Sequence, residues 1–355
     1  DGNFYSALDA DSEGEEGKYY IWKIDELKKI FNGELEEVNE LFLLDEDGYW
    51  EHDNYILMLN EKSAGNVSVE SRSRIIKKIF TEREKRVRPG LDDKSLVSWN
   101  AMMAKAYIDA YFAFEDEMFL TKSLSNTKFI LEHCRNESGG LNHSWKNGIS
   151  KINGYLEDYA FVIELLLSTY EATLDKSYLF QAEELTNYVF QHFSAENSSM
   201  FFFTSSMEPA LVSRKMETQD NVIPTSNSVM AKNLYLLGTY FDKTEWRDRS
   251  KEMLRDIAPD IPKYGSAYSN WLILGMWNKV SFQEIVVCSE DAMQQALKIR
   301  KNYFPGILVA GTTNEEYIPL LENRIVAGTK KFYVCENRSC RLPVSTREQA
   351  LEMLR

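Results

Sequence analysis

The sequence predicts a mainly α protein, an incomplete (α/α) toroid of helical hairpins with small β-hairpins on one rim and a small α/β appendage at its C-terminal end. Two observations predict the toroid. One arrangement of helix, short acidic turn with an aromatic anchor, and second helix occurs three times. In each occurrence the first helix is apolar around most of its circumference, whereas the second carries one apolar stripe. A third observation predicts the appendage: after Val280 the helical rhythm gives way to strands alternating with a helix.

The repeats align residue by residue. Trp99 to Tyr111 leads into Glu115, Asp116 and Phe119; Tyr159 to Tyr170 leads into Asp175 and Tyr178; Asn227 to Tyr240 leads into Asp242 and Trp246. A tyrosine ends the first helix each time. The run Phe161 to Leu167 is apolar on nearly all sides, and the run Leu179 to Phe190 on one. Inner helices covered by neighbours, alternating with outer helices that face water, produce this contrast. A plain solenoid would alternate in the same way, so closure into a ring is an expectation added to the pattern.

Long returns separate the hairpins, and each holds a strand-like pair: Phe4–Leu8 with Lys18–Trp22, Leu141–Trp145 with Ile149–Ile152, and Met200–Thr204 with Leu211–Arg214. Each return then delivers polar residues to the start of a first helix: Asp92, Asp93 and Lys94; Glu157 and Asp158; Asp220 and Asn221, followed by Pro224 to Asn227. Stacked repeats would bring these positions together. Between Ile24 and Arg88 the pattern is less regular, with a short helix near Ile24–Phe31, another near Glu36 and a charged helix from about Val69 to Arg86. The expected division is residues 1–280 for the toroid, lacking its first hairpins, and 281–355 for the appendage, whose strands fall at Glu284–Cys288, Gly306–Gly311 and Lys331–Cys335 with a helix ending near Arg300.

Composition narrows the function. With 44% hydrophobic and 13% aromatic residues the chain can bury a sizeable core. Its 41 basic and 55 acidic residues give a net charge of −14 with no basic block, which argues against nucleic acid and anionic membrane as partners. No stretch approaches the roughly 18 apolar residues of a spanning helix, and nothing resembles an export signal, so a cytoplasmic location is expected. Four cysteines are too few for a disulfide framework in a chain this long. Cys335 and Cys340, spaced unlike a redox CxxC, read as structural or incidental. No metal-ligand spacing and no phosphate loop is present, so no cofactor is expected.

Acids before helices admit two readings. Asp92, Asp93, Glu157 and Asp158 are candidate catalytic acids and bases, because paired carboxylates at the mouth of a helical ring suit general acid–base work. Equally, such residues satisfy the free N–H groups of a helix start. Asp9 and Asp11, in a loop ending at Gly14, form either a rim cluster or a solvated turn. Trp99 and Trp145, with Tyr155, Tyr159 and Phe203, can offer flat faces to a sugar ring or fill the core. Asn100, Arg214, Asp220 and Asn227 are candidate hydroxyl ligands, and His143 is the one histidine inside a rim hairpin.

The run Gly2 to Gly14, with Glu16 to Trp22, Arg88 to Lys94, Ser98-Trp-Asn100, Gly154 to Tyr159, Ile223 to Ser228 and Tyr333 to Cys340, resembles the motifs of the YyaL-like proteins related to spermatogenesis-associated protein 20, a thioredoxin-domain-containing family. The resemblance spans nearly the whole chain. It implies an (α/α)6 six-hairpin glycosidase-like toroid, related in fold to N-acylglucosamine 2-epimerases. In full-length members a thioredoxin-like domain and the first hairpins precede the part that this chain matches, and those hairpins carry a His/Glu motif expected on the same rim. The resemblance names no substrate. The leading expectation is a protein that binds or acts on a small carbohydrate. Its rivals are a non-catalytic scaffold partnered with the thioredoxin-like domain, and a sugar 2-epimerase, which the scattered histidines disfavour.

Overall fold

The structure, a computed structural model, describes residues 2–209, 213–280, 282–302, 304–314, 317–326, 328–336 and 339–354. It divides into two compact units, Tyr5–Asp93 and Asp1–Phe4 with Lys94–Arg355. The segment after residue 280, expected to stand apart, belongs to the second of these.

In the unit Tyr5–Asp93 the elements are β1 (Ala7–Leu8), β2 (Asp11–Ser12), β3 (Glu15–Glu16), β4 (Trp22–Lys23), α1 (Ile24–Ile30), α2 (Glu36–Leu41), β5 (Asn54–Tyr55), α3 (Val69–Arg83) and β6 (Leu91–Asp92). Trp22, Leu27, Leu41, Ile75 and Ile79 close its core. Ser68 caps α3 by accepting from the Ser71 N–H. Arg86 ties the irregular stretch together: it donates to the carbonyls of Lys18, Tyr19 and Ile21, and its guanidinium lies 3.9 Å from the Trp22 ring centre. The expected pairing of Phe4–Leu8 with Lys18–Trp22 is not formed. Instead β1 pairs with β6, and β4 with β5. The cause is local: the β2–β3 hairpin runs only as far as the Gly17 N–H, which donates to the Ala10 carbonyl, and there the chain enters a turn, with Gly17 at positive φ and its carbonyl accepting from the Tyr20 and Ile21 N–H groups, so Lys18–Trp22 leaves the ladder instead of continuing alongside β1.

The other unit is built of hairpins, as expected. After β7 (Ser95–Leu96) come α4 (Val97–Phe114) and α5 (Glu117–His133), then β8 (Asn142–Lys146) and β9 (Ile149–Asn153), then α6 (Leu156–Thr173) with α7 (Ser177–Phe193), α8 (Ser226–Tyr240) with α9 (Thr244–Ile257), and α10 (Ser269–Lys279). Helices α4, α6, α8 and α10 pack side by side in that order, and each of α5, α7 and α9 packs on its own hairpin partner. Burial follows the layers. Along α6, Tyr159, Phe161, Ile163, Leu166 and Tyr170 are all buried, whereas α9 buries Trp246, Ser250, Met253 and Ile257 at helical spacing on one face. Each hairpin turns through one residue in the left-handed region: Glu115 at φ 58°, Leu174 at 55° and Asp242 at 55°.

Of the expected rim hairpins, β8 and β9 form as read, and β7 adds a third strand. Among the described residues Met200–Thr204 forms no paired strand: Phe201 bridges to Ser194, and Phe203 donates to the Lys215 carbonyl. Leu211 and Val212, assigned to its partner, lie outside the described residues.

The C-terminal segment holds β10 (Gln283–Cys288), α11 (Ala292–Arg300), β11 (Ile307–Thr312), β12 (Lys331–Glu336), β13 (Ser339–Cys340) and α12 (Arg347–Glu352). The sheet order is β11-β10-β12-β13, with β11 parallel to β10 and the other pairs antiparallel. Alternation along β10 explains its integration. Ile285 and Val287 face a small core with α11 and α12, while Val286 and Cys288 join the core of the hairpins. A disulfide links Cys335 and Cys340, which composition alone left as structural or incidental; Cys134 and Cys288 are free and buried. No helix among the described residues is long and apolar enough to cross a membrane.

Candidate functional site

The start of each first helix repeats one device. A polar side chain there captures both the N–H and the C=O of a single residue in an incoming loop. Asn100 of α4 accepts from the Phe4 N–H at 2.8 Å and donates to the Phe4 carbonyl at 3.1 Å. The Tyr159 hydroxyl of α6 accepts from the Leu141 N–H at 2.8 Å and donates to its carbonyl at 3.4 Å. Asn227 of α8 accepts from the Phe201 N–H at 2.8 Å and donates to its carbonyl at 3.0 Å. Leu141 and Phe201 also occupy matching β-bridges, to Arg135 and Ser194. All three side chains are buried. Asn100, Tyr159 and Asn227, expected as substrate ligands, are therefore spent on the backbone, where they satisfy groups that burial would otherwise leave unpaired.

Acids bridge neighbouring helix starts. Asp158 accepts from the Tyr155 N–H at the start of its own helix, 2.9 Å, and from the Ser98 N–H in the first turn of α4, 3.0 Å. Asp220 accepts from Thr225 N–H, 2.9 Å, and Ser228 hydroxyl, 3.1 Å, at α8, and from Asn270 N–H, 2.9 Å, in the first turn of α10. Both serve the free N–H groups and the positive end of two helices at once. Asp158 thus does what the capping reading says of it, and Asp220, expected as a hydroxyl ligand, bonds helix starts in the same way.

The cluster at α6 has more than capping requires. His143, from β8, meets Asp158 with Nδ1 2.9 Å from Oδ2, and its ring stands edge-on to Tyr155. Beside them Glu157, half-buried, accepts from the Ser98 hydroxyl at 3.3 Å. Burial pushes the Glu157 carboxyl above its ordinary range, and the Asp158 charge adds to this. Burial alone would lower the His143 imidazolium, but its bond to Asp158 and the charges of Asp158 and Glu157 outweigh it, and the net direction is upward. Asp158 is completely buried, and desolvation raises its carboxyl as well. The pair therefore keeps its shared proton to higher pH than either group would alone. Ligand atoms of His143, Glu157 and Asp158 lie within 4.8 Å of one another, close enough for a small cation, although Asp158 already accepts three bonds from the protein.

Glu157 opens onto a groove of about 720 Å³ whose lining includes Phe203, Glu217, Asp220, Ile223 and Tyr264. Burial also raises the Glu217 carboxyl, and the two glutamates sense each other's charge. Phe203 stacks on Tyr155 at 5.0 Å, leaving its other side to the groove. Glu217 was not singled out in the sequence. It lies midway along a return with no periodicity, and only the fold places it beside Glu157.

The remaining candidates lie elsewhere. Trp145 packs edge-on against Phe129, 5.1 Å away, as part of the core. Arg214 donates to the carbonyls of Thr204 and His192 and stacks over Phe202, which makes it a brace of its loop. Trp99 stands 46% exposed, one residue beyond Ser98. Asp9, Asp11, Asp92 and Asp93 belong to the unit Tyr5–Asp93. There Asp9 accepts from the Asp11 N–H in the turn leading to Gly14, while Asp92 pairs with Ala7 in the β1–β6 ladder. Asp9 and Asp11 thus follow the solvated-turn reading.

Comparison with known proteins agrees with the motifs. No family model matches the chain. Among solved structures it is similar to cellobiose 2-epimerase from Bacillus thermoamylovorans, at 16% identity and TM-score 0.39 over 46% of this chain and 44% of that one. It is likewise similar to a GH76 α-mannanase from Bacteroides thetaiotaomicron, at 13% identity and TM-score 0.44 over 71% of this chain and 76% of the other. Human spermatogenesis-associated protein 20 is 26% identical over 407 aligned residues, covering 97% of this chain and 51% of the relative. The chain spans about half the length of the curated relatives it matches, and along nearly its whole own length it is similar to spermatogenesis-associated protein 20.

Proposed function

We propose that the groove beside α6 and α8 binds a small carbohydrate and that Glu157 is its acid–base residue. The observation that carries this reading is a carboxyl kept protonated above its ordinary range at the edge of a polar groove, with an imidazole–carboxylate pair immediately behind it. An acid raised by burial keeps its proton for delivery to higher pH than an ordinary carboxyl does. Glu217 is the second carboxyl, placed to receive charge or activate water. Phe203 and Tyr264 offer ring faces, and the loop around Gln219 and Asn221 offers hydroxyl partners. Asp158 and His143 are positioning residues: they hold the start of α6 and set the field that Glu157 feels. The acidic balance of the chain favours a neutral ligand over an anionic one.

Titration with a panel of mono- and disaccharides tests the reading, on this chain and on a protein of the relatives' full length. Saturable binding that Glu217→Gln weakens is the expected result. Glu157→Gln should abolish turnover and leave the fold intact. Absence of binding up to millimolar sugar in both proteins would favour the rival, a scaffold that presents this rim to the thioredoxin-like domain of its relatives.

A further inference from the structure

The second chemically loaded place in this unit lies on the C-terminal sheet, far from Glu157 in sequence and untouched by the proposed function. Three side chains form a row across three neighbouring strands. Glu284 of β10 stands directly opposite Cys335 of β12, and Cys335 directly opposite Cys340 of β13. Residues opposite each other in an antiparallel ladder share a face, with Cβ atoms about 4.5–5.5 Å apart. The row grades from inside to outside: Glu284 and Cys335 are buried, Cys340 is exposed.

Two features of the row exceed what a structural crosslink needs. Arg324, which stacks over Tyr333 on the same face, directs one Nη1 at both sulfurs, 3.1 Å from Cys340 and 3.5 Å from Cys335. A disulfide sulfur is neutral and a poor acceptor, whereas a thiolate gains strongly from an adjacent guanidinium. Further, one oxygen of the Glu284 carboxyl, Oε2, is buried without any hydrogen-bond partner. A buried carboxyl lacking a partner for its charged form holds a proton, and burial pushes this one up to about 7 although Arg247 and Arg324 pull it down. The other charged or titratable groups whose charge couples to it are Tyr235 of α8 and, from the opposite face of β12, Glu336.

We propose that Cys335 and Cys340 form a redox-active pair that exchanges with external dithiols, with Cys340 the sulfur attacked, Arg324 the counter-charge of its thiolate and Glu284 the proton donor to Cys335. A thiolate of the dithiol attacks Cys340 Sγ. The Cys335–Cys340 bond breaks, its electron pair leaves on Cys335 Sγ, and that sulfur takes the proton of Glu284. The dithiol's second thiolate, having lost its proton to solvent, then attacks the dithiol's own sulfur in the mixed disulfide. Cys340 departs as a thiolate beside Arg324. Two electrons pass from the dithiol to the pair, the dithiol becomes a disulfide, and water restores the proton of Glu284.

The test uses the folded 355-residue chain, dithiothreitol as the reductant and iodoacetamide as the trap, with labelled cysteines located by peptide mass. Cys340 is expected to be labelled first, ahead of the buried Cys134 and Cys288. The pH midpoint of its labelling should lie below the roughly 8.5 of an ordinary thiol. Arg324→Gln should raise that midpoint and slow labelling at pH 7 about tenfold, the effect of one pKa unit, whereas Arg324→Lys should largely restore it. Glu284→Gln should slow reduction at or below neutral pH while leaving the Cys340 midpoint in place. A pair that dithiothreitol opens only after urea unfolding overturns the proposal, as does a midpoint that Arg324→Gln does not move. Should the variants fail to fold, judged by circular dichroism, the comparison of folded with unfolded wild-type chain still decides it.

Discussion

Asp158 and Asp220 play the same part in two repeats and have different fates. Each accepts N–H groups from the starts of two neighbouring helices, Asp158, in the first turn of α6, from α6 and α4, and Asp220, in the return ahead of α8, from α8 and α10. At Asp220 the account closes there: the third partner is the Ser228 hydroxyl, and nothing in the contact goes beyond holding helices together. At Asp158 the third partner is an imidazole, and a further carboxyl, Glu157, sits alongside with its proton held by burial. Two of the repeats supply an acid that serves helix starts in this way; chemistry becomes available only where one of them has an extra acid and a histidine. Variants at the two places separate what the architecture needs from what the α6 cluster adds.

The largest effect belongs to the architecture. Asn227→Ala removes a side chain that serves the Phe201 N–H and the carbonyls of Phe201 and Glu217, all near the centre of the unit. Each group left buried without a partner costs about 1–3 kcal/mol. The expected loss is more than about 3 kcal/mol, seen as a lower urea midpoint, and Asn100→Ala should behave alike because it serves Phe4 in the same way. A loss below 1 kcal/mol would mean that water replaces these bonds and that the shared device is incidental.

Next comes the charge at Asp158. Asp158→Asn keeps the shape but turns one acceptor into a donor facing N–H groups, at a cost of about 2 kcal/mol. It also removes what raises the His143 imidazolium, so burial prevails and its titration should fall below the ordinary 6.5. Histidine resonances followed by NMR against pH measure this. A His143 titration unmoved by the substitution would show that the pair is not coupled.

How far this was legible in the sequence depends on which forces wrote the signal. Helical hairpins are written in burial, and burial leaves periodicity: α6 and α7 could be told apart as covered and half-covered from their apolar patterns alone. Strand pairing in the unit Tyr5–Asp93 was not legible, because two-residue strands carry no alternation and the turn beginning at Gly17 decides the partner. At the site, Glu157, Asp158 and His143 were visible as polar residues at a helix start and in a hairpin. That Asn100, Tyr159 and Asn227 spend themselves on backbone groups was not, since a side chain that binds a ligand and one that binds a peptide group look the same in sequence. Glu217 and Glu284 were missed for a related reason: their proton affinity comes from burial by residues distant along the chain.

Smaller still is the pH dependence that Glu157 contributes. Its carboxyl binds a proton more tightly in the folded chain than in the unfolded one, so stability falls as pH rises from about 4.5 through the raised folded value. The same sign applies to His143, in a window starting near 6.5. Glu157→Gln should reduce the slope in the lower window and leave the His143 window in place. Urea midpoints measured from pH 4 to 9 resolve the two; the slope that persists in Glu157→Gln belongs to the other raised acids, with Glu284, pushed up to about 7, first in line.

The smallest effect is expected at Trp99. It is nearly half exposed and, unlike Ser98 beside it, makes no bond to the Glu157–Asp158 pair, while the groove takes its aromatic faces from Phe203 and Tyr264. Trp99→Ala should shift stability by no more than about 0.5 kcal/mol, as surface changes do, and should leave sugar affinity unchanged. Phe203→Ala, which strips a groove wall and uncovers Tyr155, should lower both. If Trp99→Ala were the variant that lost sugar binding, the recognition surface would have to be moved from the α6–α8 groove toward the start of α4, and the division between a capping Asp220 and a chemically equipped Asp158 would no longer locate the site.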